Sequence, residues 1–257
     1  MARIRPVKHE DRLTLVEHLD ELRTRLVISI VVFFVAWGLC FWQSDLIFDL
    51  LNDPLPNGRQ PVTLSPTEPF FTTMTVSAYA AILLALPVVL YQLYAFVLPA
   101  FSPRERRAVM PLLLLVPVLF AGGVAFGYFV VLDRAVDFLL NFNNDQFNIQ
   151  IRARDYYSFV SLALVALGLL FQMPVVILGI TRLGITSPQR LRRSRRYAVL
   201  VIAVVAMVAS PGGDPVTMLI MMIPLLVLYE LSIVLAAAFG SPPEESVDTA
   251  PAPEGRT

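Results

Sequence analysis

One cysteine, Cys40, in 257 residues excludes an internal disulfide. Two histidines, His9 and His18, are too few and lie too close to a charged helix to suggest a metal site. Charge is scarce as well: 16% of residues are Asp, Glu, Lys or Arg, too few to clothe a water-facing surface. No glycine-rich phosphate loop is present, and no apolar run holds a nucleophile with a base. These absences argue against an enzyme, a resident metal or cofactor, and a nucleic-acid partner. The apolar residues, by contrast, reach 56%, where soluble domains hold about 45–50%. With a mean hydropathy of +0.68, the chain reads as an all-α integral membrane protein whose outer solvent is lipid.

Hydropathy and charge gaps predict six spans: about Leu26 to Trp42, Val76 to Phe96, Ala108 to Leu132, Tyr157 to Ile180, Tyr197 to Ser210 and Pro215 to Phe239. The fifth, at about 14 residues, would rise only about 21 Å where hydrocarbon is about 30 Å thick. A short crossing with local thinning is the expectation there. These runs are too long and too unbroken for barrel strands. No cleavable leader is expected, because the first apolar run follows a charged amphipathic helix instead of a short basic one. Pro87, Pro117, Pro174 and Pro224 each remove a backbone donor inside a span, so bent helices in a curved wall compete with simple packing adjustments.

Charge asymmetry then orients the chain. Of 20 Lys and Arg, 16 fall before the first span, in "SPRERR", in "TRLGITSPQRLRRSRR" or in the tail; only Arg59, Arg134, Arg152 and Arg154 fall on the other side. Positive residues stay cytoplasmic, which puts both termini inside. The expected organisation is one membrane domain over 1–240, opened by a cytoplasmic amphipathic helix at about 14–25, and a disordered acidic, Pro-rich tail over 241–257.

Helix starts are written plainly. Ser65-Pro66-Thr67-Glu68 and Ser102-Pro103-Arg104-Glu105 follow the capping-box pattern. Ser187-Pro188 and Asp214-Pro215 pair a cap with proline, and Thr14 with Glu17 is a further start. The first outer loop, roughly Gln43 to Phe71, carries Pro54, Pro56, Pro61, Pro66 and Pro69 and reads as an ordered cap. The second, about Asp133 to Asp155, is expected to add a short helix to it.

Three polar features stand out, each with a plain alternative. In "LVEHLDELRTRL" (Leu15–Leu26), Leu15, Leu19, Leu22 and Leu26 form one apolar face, while Glu17 and Glu21 share another. Glu21 can be spent on Arg25 one turn on, or it can wait for a foreign cation. Glu105 can cap its own helix, or bind a ligand beside Arg104, Arg106 and Arg107. Glu230 lies within a span, where an unpaired carboxylate is costly and marks a functional candidate, unless it reaches the interface. Gln172 needs hydrogen-bond partners and points toward protein or a wet recess.

Five motifs in this order, "HLDELRTRL", "LSPTEPFFTTM", "LPVVLYQLYAFVLPAFSPRERR", "FQMPVV" and "IPLLVLYELSIVL", resemble the TatC family over about Thr14 to Phe239. TatC is the polytopic receptor subunit of the twin-arginine protein translocase. The resemblance implies six spans in a glove-like wall in the bacterial inner membrane, both termini cytoplasmic, and proton-driven export of folded proteins. It implies signal-peptide binding by Glu21 and Glu105, with His18, Leu19, Leu22 and Arg23 of the first motif and Phe96, Pro99 and Arg106 around the second. Pro54 and Glu68 become structural residues of the outer loops, and Met207 a contact for a TatB-type subunit. Further implied partners are TatA-type subunits, other copies of the chain, and lipid. Many relatives carry glutamate where this chain has Gln172, so a role there requiring fixed charge or protonation is in doubt, whereas a hydrogen-bonding role survives.

Paired carboxylates suit such a signal, because two adjacent arginines present two planar forks that lysines lack. An exposed ion pair contributes only about 0–1 kcal/mol. The apolar core of the signal must therefore add affinity, at roughly 25 cal/mol per Å² buried. Two other readings compete: a small-molecule secondary transporter, opposed by the lack of an inverted repeat, and a membrane scaffold without preference for arginine pairs.

Overall fold

The computed structural model describes residues 15–55, 60–97, 103–143, 145–146, 149–182, 184–210 and 215–239, with the side chains of 15–17, 103–114 and 239 excluded. The expectations placed on Thr14, Glu17, Pro56, Pro99, Ser102, Asp214 and the tail therefore lie outside the described residues.

Helix α1 runs from Leu15 to Trp42 without interruption. The expected amphipathic helix and the first span are thus one element, since nothing between Leu22 and Val27 breaks the backbone ladder. After α2 (Ser44–Asn52) come α3 (Glu68–Val97) and α4 (Pro103–Phe126). A π-helical stretch over Gly127–Leu132 carries α4 directly into α5 (Asp133–Asn141). Helices α6 (Ala153–Leu170) and α7 (Met173–Arg182) divide the expected fourth span. Three more follow: α8 (Pro188–Arg193), α9 (Arg195–Ala209) and α10 (Pro215–Phe239). Among the described residues, five helical segments are long and apolar enough to cross a membrane. The remaining expected crossing, α9, has 15 residues and rises about 22 Å.

Local chemistry accounts for the breaks. Pro174 lacks an N–H and cannot continue the ladder. The chain accordingly turns at Phe171–Gln172, and the Gln172 carbonyl restarts the helix by accepting from the N–H groups of Val175 (3.0 Å) and Val176 (3.1 Å). Ser187 caps α8 as its sequence predicts, its hydroxyl accepting from the Arg190 N–H at 3.3 Å.

The segment Ala153–Arg182 lies at the centre, with more than half of its apolar stretch buried, whereas that of His18–Trp42 at the margin is almost wholly uncovered. Around it α4 packs closely through glycines. A Cβ on Gly123 would stand 2.8 Å from both the Leu167 carbonyl oxygen and Phe171, and one on Gly168 would stand 2.5 Å from the Phe120 ring. Small residues that let backbones approach are a recurrent device between membrane helices. On the other flank α3 packs against α1, where the Trp37 Nε1–H donates to the Met74 carbonyl at 3.2 Å. Helices α7, α9 and α10 share a core of Ile177, Ile202, Ala206, Met221 and Leu225.

The two loops expected on the outer side pack against each other, by means the sequence did not announce. The last turn of α2 leaves orphan carbonyls, and tyrosines from other elements answer them. Tyr156 donates to the Leu51 carbonyl at 2.8 Å, Tyr157 to the Asn52 side chain at 2.8 Å, and the Tyr128 hydroxyl reaches the Leu50 carbonyl at 2.8 Å. Val62 pairs with the second loop through two backbone bonds, to Ile151 (2.7 Å) and from Ala153 (2.8 Å).

Glu68 departs from the capping-box expectation. Its Oε2 accepts from the Leu64 N–H at 3.0 Å instead of the Ser65 N–H, and the Ser65 hydroxyl meets that of Thr67 at 3.1 Å. Helix α3 begins at Glu68 itself, so the carboxylate stands at the first turn and reaches back one residue further. Its Oε1 accepts from Arg152 Nε at 2.9 Å, tying these two loops together. That hydrogen bond and charge push the Arg152 guanidinium further up from its already high range.

Two outcomes test this packing. Gly123→Ala is expected to destabilise the protein by about 1–3 kcal/mol, read as a lower thermal midpoint in detergent. Gly122→Ala, where an added Cβ meets nothing within 4 Å, should leave the midpoint in place. For the loop pair, Glu68→Leu and Arg152→Leu should each lower the midpoint, and the double variant by less than the two together. Simple additivity would mean the pair is not coupled.

Candidate functional site

The basic end of the molecule gathers residues from three elements. Early turns of α1 lie beside the last turns of α3, and the rings of His18 and Phe96 stack with centroids 4.3 Å apart and planes 18° apart. One turn further on, Glu21 Oε1 accepts from Arg25 Nε at 3.0 Å and Nη2 at 2.5 Å. The third nitrogen, Nη1, donates to Gln92 Oε1 of α3 at 3.1 Å. Arg25 thus spans the α1–α3 seam and holds the carboxylate in place. Both bonds fall on Oε1, so Glu21 Oε2 has no partner among the described residues.

Leu19 and Leu22, flanking this carboxylate, are exposed, as is Arg23. Their apolar face covers no other described span. Glu105 and Arg106 sit in the first turn of α4, and their side chains lie outside the described residues. What the structure brings together is therefore His18, Phe96, Glu21, Arg25 and Gln92. Sequence reasoning identified three of these as site residues, considered Arg25 only as a neutralising neighbour, and missed Gln92. The available signal for Gln92 was a lone amide near the end of an apolar run.

The remaining candidates stand elsewhere. Gln172 is 3% exposed, and its Nε2–H donates to the Val116 carbonyl of α4 at 3.1 Å. Its Oε1 is buried with no hydrogen-bond partner among the described residues. Glu230 makes no bond to Gln172; it accepts from Arg195 Nη2 at 2.7 Å, with both side chains about half exposed. Met207 is exposed on α9. Pro54 follows α2 beside the buried Leu55, and Glu68 belongs to the cap. Arg152, the partner of Glu68, escaped the sequence reading, although a cation on the acid-rich side was a visible anomaly. Among the described residues, no three His, Cys, Asp or Glu gather as metal ligands.

A family model described as Sec-independent protein translocase protein (TatC) matches residues 17–224. The Sec-independent protein translocase protein TatC of Aquifex aeolicus is 39% identical over 226 residues, covering 86% of this chain and 93% of that relative. The TatC of Escherichia coli O6:H1 is 36% identical over 231 residues, covering 87% and 88%. A crystal structure of the twin arginine translocase receptor TatC in DDM superposes with a TM-score of 0.75 at 38% identity, covering 85% of this chain and 99% of that one.

Gln172 offers a test of its surroundings. Gln172→Glu deprives the Val116 carbonyl of its donor and adds a buried carboxylate, with an expected cost of about 1–3 kcal/mol. Gln172→Leu removes the orphan oxygen together with the donor and should cost less. A glutamate variant that melts no lower than the leucine variant in detergent would mean the recess is wet.

Proposed function

Since the chain belongs to the TatC family, we propose that its basic end is the face that receives an export signal bearing two consecutive arginines. As a TatC protein it is the core receptor component of twin-arginine translocation: a polytopic inner-membrane protein, not an enzyme, that works with other components of the Tat complex.

The observation that carries the site assignment is Glu21. Its carboxylate is steadied by the Arg25–Gln92 bridge, while Oε2 takes no bond from any described residue. An incoming guanidinium can donate to Oε2 without displacing Arg25, so the site does not first have to break an internal ion pair. Part of the ordering cost of holding a long carboxylate side chain is already met by the fold. The planar fork of arginine suits such a fixed acceptor better than the point charge of lysine. Glu105 supplies the second carboxylate in this reading, with Arg106 beside it, for the second arginine of the pair. His18 stacked on Phe96 forms a flat wall, and exposed Leu19 and Leu22 give the apolar core of the signal a surface continuous with lipid. Arg23, also exposed, borders the same surface.

In the same reading both termini are cytoplasmic, α9 counts as the short fifth of six crossings, and residues 1–240 act as one membrane domain. The distribution of arginines supports this orientation. Single-span TatB-type and TatA-type subunits dock on the outward flank of α9 around Met207, and several copies of the chain share one receptor complex. Gln172 serves as a neutral hydrogen-bonding group, and the energy of export is drawn from the proton gradient.

The test places a photo-crosslinking residue at Leu22, and separately at Arg104, in the full-length protein in membranes. Signal peptides with Arg-Arg should label strongly and those with Lys-Lys weakly. Glu21→Lys should lower Arg-Arg peptide binding by about tenfold or more, the worth of one charge-assisted hydrogen bond, while leaving protein accumulation unchanged. Equal labelling by both peptides would reject the selectivity.

A further inference from the structure

Between the end of α7 and the first turn of α9 the chain carries Arg182, Arg190, Arg192, Arg193, Arg195 and Arg196. No Asp or Glu occurs anywhere between Asp155 and Asp214. Among the described residues only Arg195 has a carboxylate partner, Glu230 at 2.7 Å. Arg190, Arg192, Arg193 and Arg196 are exposed and make no ion pair with any described residue. Arg182 points to the same deficit, since its buried Nε finds no acceptor among the described residues. Crowded like charges repel one another, so an anion from outside the described residues is strongly favoured here.

This elbow is built, not slack. Leu191 packs into the core of α9 and α10, and its carbonyl accepts from the Tyr229 hydroxyl at 2.9 Å. Ser187 caps the turn and the Arg195–Glu230 pair clamps its far side. The guanidinium groups therefore extend from a fixed backbone. Immediately along the chain, α9 presents Tyr197, Leu200, Val201 and Val204, all exposed and apolar or aromatic. A row of forks thus borders a greasy flank, with a tyrosine at the junction, where aromatic side chains mark the membrane interface.

We propose that the α8–α9 elbow binds the phosphate headgroup of an anionic phospholipid, through Arg190, Arg192, Arg193 and Arg196, with its acyl chains along Tyr197, Leu200 and Val201. A lipid presents an anionic phosphate and hydrocarbon in the order in which this surface offers guanidinium and apolar side chains. An acidic protein segment would satisfy the charges but bring nothing apolar to Tyr197, Leu200 and Val201, at the arginine end of α9 and about 10 Å along the helix from Met207. Arginine binds phosphate oxygens two at a time, and each basic residue at an anionic membrane surface is worth about a fivefold change in binding. Four together should give about a hundredfold preference or more. The assignment is independent of the signal-binding reading, because none of these arginines belongs to that face.

Native mass spectrometry of the full-length protein in detergent, titrated with phosphatidylglycerol or with phosphatidylcholine of the same chains, reads the preference directly. The unsubstituted protein should retain phosphatidylglycerol about a hundredfold better or more, and less so as salt is raised. The combined variant R190Q/R192Q/R193Q/R196Q, which leaves Arg195–Glu230 intact, should lose about a hundredfold in phosphatidylglycerol affinity at an unchanged thermal midpoint. Should that variant not fold, the four single substitutions carry the test, each expected to cost about fivefold. Equal retention of the two lipids by the unsubstituted protein overturns the proposal, as does a preference unmoved by the substitutions. A Gln variant that keeps its lipid preference but loses capture of a poly-glutamate peptide overturns it too, and gives the surface to an acidic protein.

Discussion

A polar group carried out of water must find its partner within the chain, and most of this structure follows from that requirement. Unmade hydrogen bonds in a buried or lipid-facing setting cost more than made ones contribute. The capped end meets the requirement almost completely. Glu68 takes bonds from Leu64 and Arg152, and three tyrosines answer the last turn of α2. Because these partners come from different loops and helices, meeting the requirement also sets how α3, α6 and the α4–α5 run stand against one another. The cap is thus the frame from which the spans hang.

The opposite end is left open. Glu21 Oε2 takes no bond from any described residue beside a bridge that immobilises the carboxylate, and the α8–α9 elbow holds arginines that no described carboxylate answers. Unmet bonding capacity at a water-accessible rim costs little, because water fills it until a ligand arrives. The same capacity inside the packed helices is expensive, and Gln172 is one of the few described side chains that leave it unmet. Its amide donates to Val116, and its oxygen is buried with no hydrogen-bond partner among the described residues.

Much of this was legible in one dimension. The apolar runs, the prolines that end or restart helices, the Ser187 cap and the short α9 were all visible, because each depends on neighbours within a few residues. Orientation was argued from arginine counts alone. Harder to read was the join between the amphipathic turn and the first span, where a change of composition does not break a helix ladder. Glu68 shows the limit most clearly. Its local pattern called for a capping box, yet a cation 84 positions away draws the carboxylate into a different set of bonds.

Composition and spacing by themselves determined that this is a helical membrane chain, roughly where its long apolar helices lie, and which acidic motifs sit near their ends. Those are one-dimensional consequences of what lipid excludes and of the 1.5 Å rise per residue. Only the tertiary structure decided which partner each polar side chain takes: Arg152 for Glu68, Gln92 behind Arg25, Val116 for Gln172, Arg195 for Glu230. Hydrogen bonds have directions and reach about 3 Å, so their choice depends on how packed helices are rotated and staggered, which no local pattern encodes.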